Sequence, residues 1–418
     1  MSSFILVVTY ILLFISLFLE VYFLISFFED WTKKESKEKK GVDYTRPENL
    51  PSATIIVPCW NEETTVKGTI DSLLNLNYPK EKLDIFIIDD GSTDGTWNII
   101  QTYNSHPQIT LFQKENGGKH TAVNLGLEHV KSDLVGLLDA DSFVHTEALM
   151  RIVDTFLKEP ETKAVTPAMT IHNANTLARV LQRTEYFFAI FMRKTSAAMG
   201  ALYVIPGPFS FIRTEVFKSL GEYKHAYLTE DMEYAMRMQS HHYTIANRHD
   251  AYVYTVGPAD PKGLFKQRLR WIYGFLNNAR DYKHLFFTPR YGDLSLLMLP
   301  SAVVFLIGSF VLFSTLISST STSLAKGISR IRTVGVDVPA SLTSPDWFFF
   351  NTDALLFLSV FVMILTIVLI LIGKKLAGEK MRFSPDIVLF LLIYGIVALS
   401  WNTVALYKTL ASRKVSWR

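Results

Sequence analysis

Asp139-Ala140-Asp141 follows the apolar run Leu134–Leu138. Two carboxylates bracketing one residue at a strand end can hold Mg²⁺ or Mn²⁺ against a diphosphate, because hard oxygen ligands suit those ions. Asp89-Asp90-Gly91-Ser92 follows the β-rich run Asp84–Ile88. Carboxylates there can accept hydrogen bonds from a base or a ribose, and Gly91 lets the backbone turn close to a ligand. In Asn116-Gly117-Gly118-Lys119 two glycines expose the backbone, and Lys119 can meet a phosphate as a point charge. Thr229-Glu230-Asp231 offers an acid to take a proton from an attacking hydroxyl. Gln267-Arg268-Leu269-Arg270-Trp271 joins guanidinium groups able to hold a diphosphate to an indole able to stack on a sugar face.

Each cluster also has a plainer reading. Asp-Asp-Gly-Ser is a common turn, and Asp-x-Asp arises by chance. Gly-Gly-Lys can be a turn with a solvated lysine. Thr229 makes a good helix N-cap with acids in the first turn. An Arg and Trp pair anchors many membrane-surface helices. What distinguishes the set is its order along one chain.

The elements that must position these residues form an α/β domain over residues 50–257. Ala53–Val57 and Asp84–Ile88 read as strands. Glu63–Leu76 has a helical period, with Val66, Ile70, Leu73 and Leu74 on one face. Alternating strands and helices predict a mostly parallel sheet. Ligands bind beyond the carboxyl ends of such strands, where the acidic clusters fall. Residues 258–290 follow. Within them Gly263–Arg280 is amphipathic, with Phe265, Leu269, Ile272 and Leu276 in a stripe and Lys266, Arg268 and Arg270 off it. The pattern fits a helix on a membrane surface, or equally a core-facing helix.

Apolar blocks flank this domain. Phe4–Phe28, in an N-terminal segment of residues 1–30, is long enough to span a bilayer and reads as an anchor rather than a cleaved signal. Three further spans, about Leu294–Ile317, Ala354–Ile372 and Ile387–Tyr407, lie within residues 291–418. Lys33, Lys34, Lys37, Lys39 and Lys40 after the first span place the domain in the cytoplasm. The basic Lys374–Arg382 loop then falls inside, as expected. The tail with Lys408, Arg413, Lys414 and Arg418 falls outside, against the charge rule. Glu20 and Asn402 lie within spans, and such residues line paths, pair between helices or stay wet at an interface. Lys plus Arg is 42 against 39 for Asp plus Glu, which argues against nucleic acid as a partner. Cys59 is the sole cysteine, so neither a disulfide nor a Cys-based zinc cluster forms within the chain.

Taken together, the Asp-Asp-Gly turn, Asp-x-Asp, Thr-Glu-Asp and Gln-x-x-Arg-Trp resemble the ordered motifs of the processive membrane glycosyltransferases of family 2, which have the GT-A fold. The resemblance covers nearly the whole chain and includes cellulose-, chitin- and hyaluronan-synthase-like relatives. It is greatest to bacterial poly-N-acetylglucosamine synthases, through Pro58-Cys59-Trp60-Asn61-Glu62-Glu63, Asp90-Gly91-Ser92-Thr93-Asp94, Gly118-Lys119, Thr229-Glu230-Asp231 and Gly263–Trp271. Gly207-Pro208-Phe209-Ser210 departs from them and is similar to hyaluronan-type enzymes.

The resemblance implies an α/β GT-A domain inserted between one N-terminal span and three C-terminal spans, in a multi-pass protein of the plasma membrane. It implies that Asp90, with Asp89 and Glu62, binds the nucleotide, that Lys119 meets the diphosphate and that Asp139 lies near the nucleotide. Asp141, with Asp139, would bind a divalent Mg²⁺ or Mn²⁺. Asp231, within Thr229-Glu230-Asp231, would be the general base. Gln267 and Arg270 would hold the diphosphate, and Trp271, Gly207 and Pro208 the acceptor. The implied partners are a UDP-sugar donor, a polysaccharide or lipid acceptor, membrane lipids and a small accessory membrane subunit. Lipid transferases that add one sugar share the Arg-Trp element, so a single-sugar product is the alternative.

Overall fold

The computed structural model describes residues 3–36, 47–334, 354–413 and 415. Lys37, Lys39, Lys40, Lys414 and Arg418 of the basic segments, and the side chains of Lys33 and Lys34, lie outside what it describes.

Eight strands form one sheet: β1 (Ala53–Cys59), β2 (Leu83–Asp90), β3 (Ile109–Lys114), β4 (Leu134–Leu137), β5 (Ser142–Val144), β6 (Thr162–Ile171), β7 (Ser210–Arg213) and β8 (Thr244–Thr255). Their order is β3-β2-β1-β4-β7-β6-β8-β5. The first four strands of that order pair in parallel. Beyond β4 the pairing is antiparallel except for β6 with β8. The sheet is therefore parallel in one half and mixed in the other, rather than mostly parallel throughout. In the first half successive strands are joined by helices, the crossover connection that parallel pairing needs.

Period-two alternation explains why β1 and β2 are central. Ile55, Val57, Ile85 and Ile87 enter one core with Val66, Ile70 and Leu73. Ile56, Phe86 and Ile88 enter the other, with Ala122, Val123 and Tyr234. Both faces are covered, so the strands are apolar throughout.

The helices are α1 (Ser3–Ser36), α2 (Val66–Leu74), α3 (Thr96–Gln101), α4 (Lys119–His129), α5 (Ala148–Lys158), α6 (Leu177–Ala198), α7 (Thr214–Leu220), α8 (Glu230–Ser240), α9 (Pro261–Asp281), α10 (Leu299–Val334), α11 (Ala354–Leu376), α12 (Pro385–Leu389) and α13 (Gly395–Leu410). α2 is shorter than the expected Glu63–Leu76, because a turn closed by Thr65 and Val66 N–H bonds to the Glu62 carbonyl takes up its start.

Four described segments are long and apolar enough to cross a membrane: Leu6–Thr32, Leu294–Val311, Ala354–Leu376 and Pro385–Leu410. α10 runs past its apolar segment to Val334. A third core ties these helices to the domain, with Leu19, Phe23 and Phe27 of α1 against Ile190 and Phe191 of α6 and Leu369 of α11. Gly373 of α11 lets the backbones nearly touch, since a Cβ there would fall 1.9 Å from the Phe187 carbonyl oxygen. Glu20 accepts a 2.6 Å hydrogen bond from Thr366, and Asn402 donates to Ser309 at 3.5 Å, so both contact neighbouring helices.

Candidate active site

The candidate site begins at the carboxyl end of β2. Asp90 accepts from Lys114 Nζ at 2.7 Å, from the Gly117 N–H at 3.0 Å and from the Gly118 N–H at 2.9 Å. Its carboxylate thereby shapes the Asn116-Gly117-Gly118 loop from below. Gly91 has φ +71, and a Cβ there would sit 2.7 Å from the Asn116 nitrogen, so glycine is required. Asp89 is fully buried and accepts from Gln113 and from the Ser92 N–H. Successive strand residues face opposite ways, and of the two aspartates it is Asp90 that meets the loop.

That loop starts α4 at Lys119 and sends its side chain across to the end of β4. Lys119 Nζ lies 2.5 Å from Asp139 and 3.8 Å from Glu230. Burial works to lower the lysine pKa, but Asp139, Glu230 and Asp231 together raise it above its ordinary value. Gly207 backs onto the same pair: a Cβ there would fall 2.7 Å from Lys119 Nζ and 3.2 Å from both Asp139 oxygens. Pro208 is buried behind it, and Phe209 has φ 61, its N–H bonded to the Leu137 carbonyl at 2.5 Å. The Gly207–Ser210 segment therefore packs on the end of β4 as one wall of the site.

Asp141 accepts from the Ser142 hydroxyl at 3.0 Å. Burial, then the charges of Asp139 and Glu62, push its pKa up to about 7. Glu62 itself accepts from Thr65 at 2.8 Å. Asp231, at the start of α8, accepts from the Met232 N–H at 2.8 Å. Burial and the neighbouring Glu230 push its pKa up to about 6, against the pull of Lys119 and Arg270. Arg270 of α9 has its pKa lowered by burial, while Glu230, Asp231, Asp139 and Asp141 all oppose that shift. Its guanidinium stays charged. The acidic motifs at Asp139 and Asp231, far apart in the chain, thus converge around one arginine and one lysine.

Gln267 accepts from Arg268 at 2.6 Å. Trp271 packs with Met169, Ile171 and Tyr186, and Tyr186 is within electrostatic reach of Asp141. One face of Trp271 is covered by Arg268, whose guanidinium carbon lies 4.1 Å from the ring centre. Arg268 was expected on a polar face. Instead it is buried, paired with Glu185 and donating to Tyr394 at 2.9 Å. α9 is covered on one side by the domain and on the other by α13, so it has no free polar face there.

The turn before Asp231 is unusual. Ala226, Tyr227 and Leu228 all have positive φ, at 41, 56 and 65. Left-handed backbone costs about 1–2 kcal/mol per L-residue and rarely runs to three. Thr229 occupies the N-cap position of α8, but its hydroxyl does not cap the helix. That hydroxyl donates to the Ala226 carbonyl at 3.0 Å and accepts from Asn278 at 2.9 Å. Tyr227 donates to Asp281 at 2.8 Å, and Arg270 donates to the Leu228 carbonyl at 3.3 Å. Sequence reasoning missed Gly274 and Asn278. Their signal was a spacing of four from Arg270, which puts all three on one face of α9.

Among the described residues no group of three or more His, Cys, Asp and Glu is arranged to hold a metal ion. The donors nonetheless fit Mg²⁺ or Mn²⁺. Asp141 lies within electrostatic reach of two further oxygen donors, Asp139 and Glu62, and such ions commonly take one or two carboxylates and complete their shell with phosphate oxygens and water.

Three comparisons bear on this site. The family model described as "Glycosyltransferase like family 2" matches residues 51–274, more than half of the chain. Poly-beta-1,6-N-acetyl-D-glucosamine synthases of Staphylococcus epidermidis and of Staphylococcus aureus strain COL are each 29% identical over 266 residues. The match takes in 63% of this chain and 64% of theirs, so it spans less than two thirds of those relatives. A solved structure of the mannosyltransferase PcManGT from Pyrobaculum calidifontis, in complex with GDP-Man and Mn²⁺, is 20% identical. It superposes with a TM-score of 0.59 over 96% of this chain and 100% of its own, which shows a shared fold.

Proposed function

From the premise that the chain belongs to glycosyltransferase family 2 and has a GT-A-type fold, we propose that it transfers N-acetylglucosamine from a UDP-sugar to the end of a growing β-linked polysaccharide. The observation that carries this reading is the meeting of Asp139, Asp141, Glu230 and Asp231 around Arg270. On this reading Arg270 serves the diphosphate, Asp141 the metal and Asp231 the acceptor proton, with both carboxylates within electrostatic reach of Arg270.

The steps follow from the charges. Asp90 holds the loop that presents Lys119, and the nucleotide lies against that loop. Asp141, with Asp139, would hold Mg²⁺ or Mn²⁺, which when bound neutralises charge on the leaving diphosphate. Lys119 and Arg270 add fixed positive charge where the leaving group develops its own. Asp231 takes the proton of the acceptor hydroxyl as that oxygen attacks the anomeric carbon. One displacement from an α-linked donor gives a β-linked product. Trp271, with Tyr186 beside it, borders the acceptor side. The domain lies on the cytoplasmic side of the plasma membrane, and the spans give the product a path outward. A small membrane subunit assists.

Support comes from the family, from the names of the staphylococcal relatives and from this geometry. The test is incorporation from labelled UDP-N-acetylglucosamine by full-length protein in lipid with Mg²⁺ or Mn²⁺, beside Asp231→Asn, with products sized and digested by sugar-specific hydrolases. A polymer made by the wild type and absent from the variant is the expected result. A single lipid-linked sugar would replace the polymerase reading by a lipid glycosyltransferase.

A further inference from the structure

We infer that Gly274 and Asn278 are positioning residues that hold the left-handed turn Ala226–Leu228 and thereby aim Asp231; the inference rests on the reading of Asp231 as the base. The turn has no reason to form by itself. Alanine, tyrosine and leucine disfavour left-handed backbone and carry no short polar side chain to stabilise it locally. It persists where surrounding structure over-determines it, and that structure is α9.

Gly274 is a glycine in mid-helix, a position that ordinarily weakens a helix. Any side chain there would strike Thr229, since a Cβ would lie 2.2 Å from its Oγ1, 2.4 Å from its Cγ2 and 2.8 Å from its Cβ. The missing side chain lets Thr229 seat directly on the helix. One turn further along, buried Asn278 donates to the Thr229 hydroxyl at 2.9 Å. Thr229 is the point where turn and helix meet. Its carbonyl accepts the Met232 and Glu233 N–H groups at 3.2 and 3.1 Å, which founds the first turn of α8 that bears Glu230 and Asp231. From the opposite side, His225, which precedes the turn, meets His120 of α4 edge-on at 5.4 Å between ring centres.

Arg270, Gly274 and Asn278 share a helix face, so the guanidinium at the diphosphate and the frame of the base belong to one rigid surface. A shift of Thr229 would move Asp231 relative to Arg270 without removing either group.

The test uses full-length protein in lipid, UDP-N-acetylglucosamine as donor, and Gly274→Ala, Asn278→Ala, Thr229→Val, Thr229→Ser, the Asn278→Ala/Thr229→Val double variant and Asp231→Asn. Misplacement of the base is expected to cut kcat about 10- to 100-fold in Asn278→Ala and Thr229→Val, with the donor KM held within about twofold. The double variant should match the worse single variant, because both remove one interaction. Thr229→Ser, which keeps the hydroxyl, should restore most of kcat. Wild-type kcat in Asn278→Ala, losses that multiply in the double variant, or equal losses in Thr229→Ser and Thr229→Val would each overturn the inference. Gly274→Ala, whose methyl strikes Thr229, should lose kcat by a similar factor with the donor KM held, and wild-type kcat there would overturn the role of Gly274. Full activity in Asp231→Asn would instead sink the reading of the base, and is told apart because the Asn278 variants are scored separately.

Discussion

Lys119 and Asp139 form a 2.5 Å ion pair beyond the end of β4, with Glu230 a further 3.8 Å contact of the same ammonium. The lysine is thus already neutralised on one side before any diphosphate arrives. On the proposed reading, a donor that brings its own negative charge would compete with Asp139 for this ammonium.

Removing the lysine should therefore hurt the chemical step more than the fold. Lys119→Gln is expected to lower kcat about 10²- to 10³-fold, the scale seen when one preorganised hydrogen-bond donor to developing negative charge is lost. Steady-state kinetics with purified protein in lipid would check this, and a variant within threefold of wild type would remove Lys119 from the leaving-group site.

Asp231 must be ionised to act as a base, and its pKa lies at about 6. At saturating Mn²⁺, so that metal loading does not limit the rate, activity should rise with pH through about 6 and level off above it. Asp231→Asn should cost about 10²- to 10⁴-fold, the usual range for a general base, and should abolish that limb. A pH–rate profile unchanged in shape for the residual activity of Asp231→Asn would assign the limb to another group.

Metal binding should compete with protons at Asp141, whose pKa is about 7. Below that pH, apparent affinity for Mn²⁺ should fall by about tenfold per unit, since one proton must leave for the ion to bind. Titration of Mn²⁺ by electron paramagnetic resonance between pH 5 and 8 measures this directly. Affinity independent of pH would point to other ligands.

The same group makes a stability prediction. Because its pKa in the fold lies above the ordinary value of 3.8, the folded chain keeps a proton that the unfolded chain has lost between about pH 4 and pH 7. Stability contributed by this site is therefore present at low pH and lost as pH rises through about 7. Asn cannot ionise, so metal-free Asp141→Asn should unfold at a higher Tm than wild type at pH 8 and show little difference at pH 4. Equal Tm differences at both pH values would refute the charge explanation.

Gly207→Ala should be a local lesion. The added methyl would press on Lys119 Nζ at 2.7 Å and on both Asp139 oxygens at 3.2 Å. Activity is expected to drop about 10- to 100-fold through displacement of that pair, with the Tm nearly unchanged. A Tm loss as large as that of a buried-core substitution would show that the wall, rather than the ion pair, had given way.

Much of this arrangement was legible in the sequence because local rules dominated it. The strands Ala53–Cys59 and Leu83–Asp90 are apolar on both faces, and the acidic clusters stand at or just past their ends. What local rules could not show was partner choice. Arg268 looks solvent-facing by helical period, yet tertiary packing gives it Glu185, Tyr394 and the Trp271 ring. Thr229 has the composition of an N-cap, but its hydroxyl is claimed by Asn278, 49 residues away. The left-handed turn at Ala226–Leu228 has no glycine or asparagine to announce it. The antiparallel strands β5 and β7 are too short, at 3 and 4 residues, to carry a period.

Arg268 also joins two parts of the molecule that the motifs treat as separate. Its side chain stacks on Trp271 on one side and meets Tyr394, just before α13, on the other, and Asn277 reaches Thr409 near the end of α13 at 3.4 Å. The last apolar helix is thus packed into the surface that holds α9 rather than being a tether alone. A fragment cut to residues 51–274 would keep every motif and lose the surface that holds its tryptophan still. If Trp271 borders the acceptor as proposed, swapping the final helix between relatives would alter the enzyme itself, with acceptor handling as the trait exchanged.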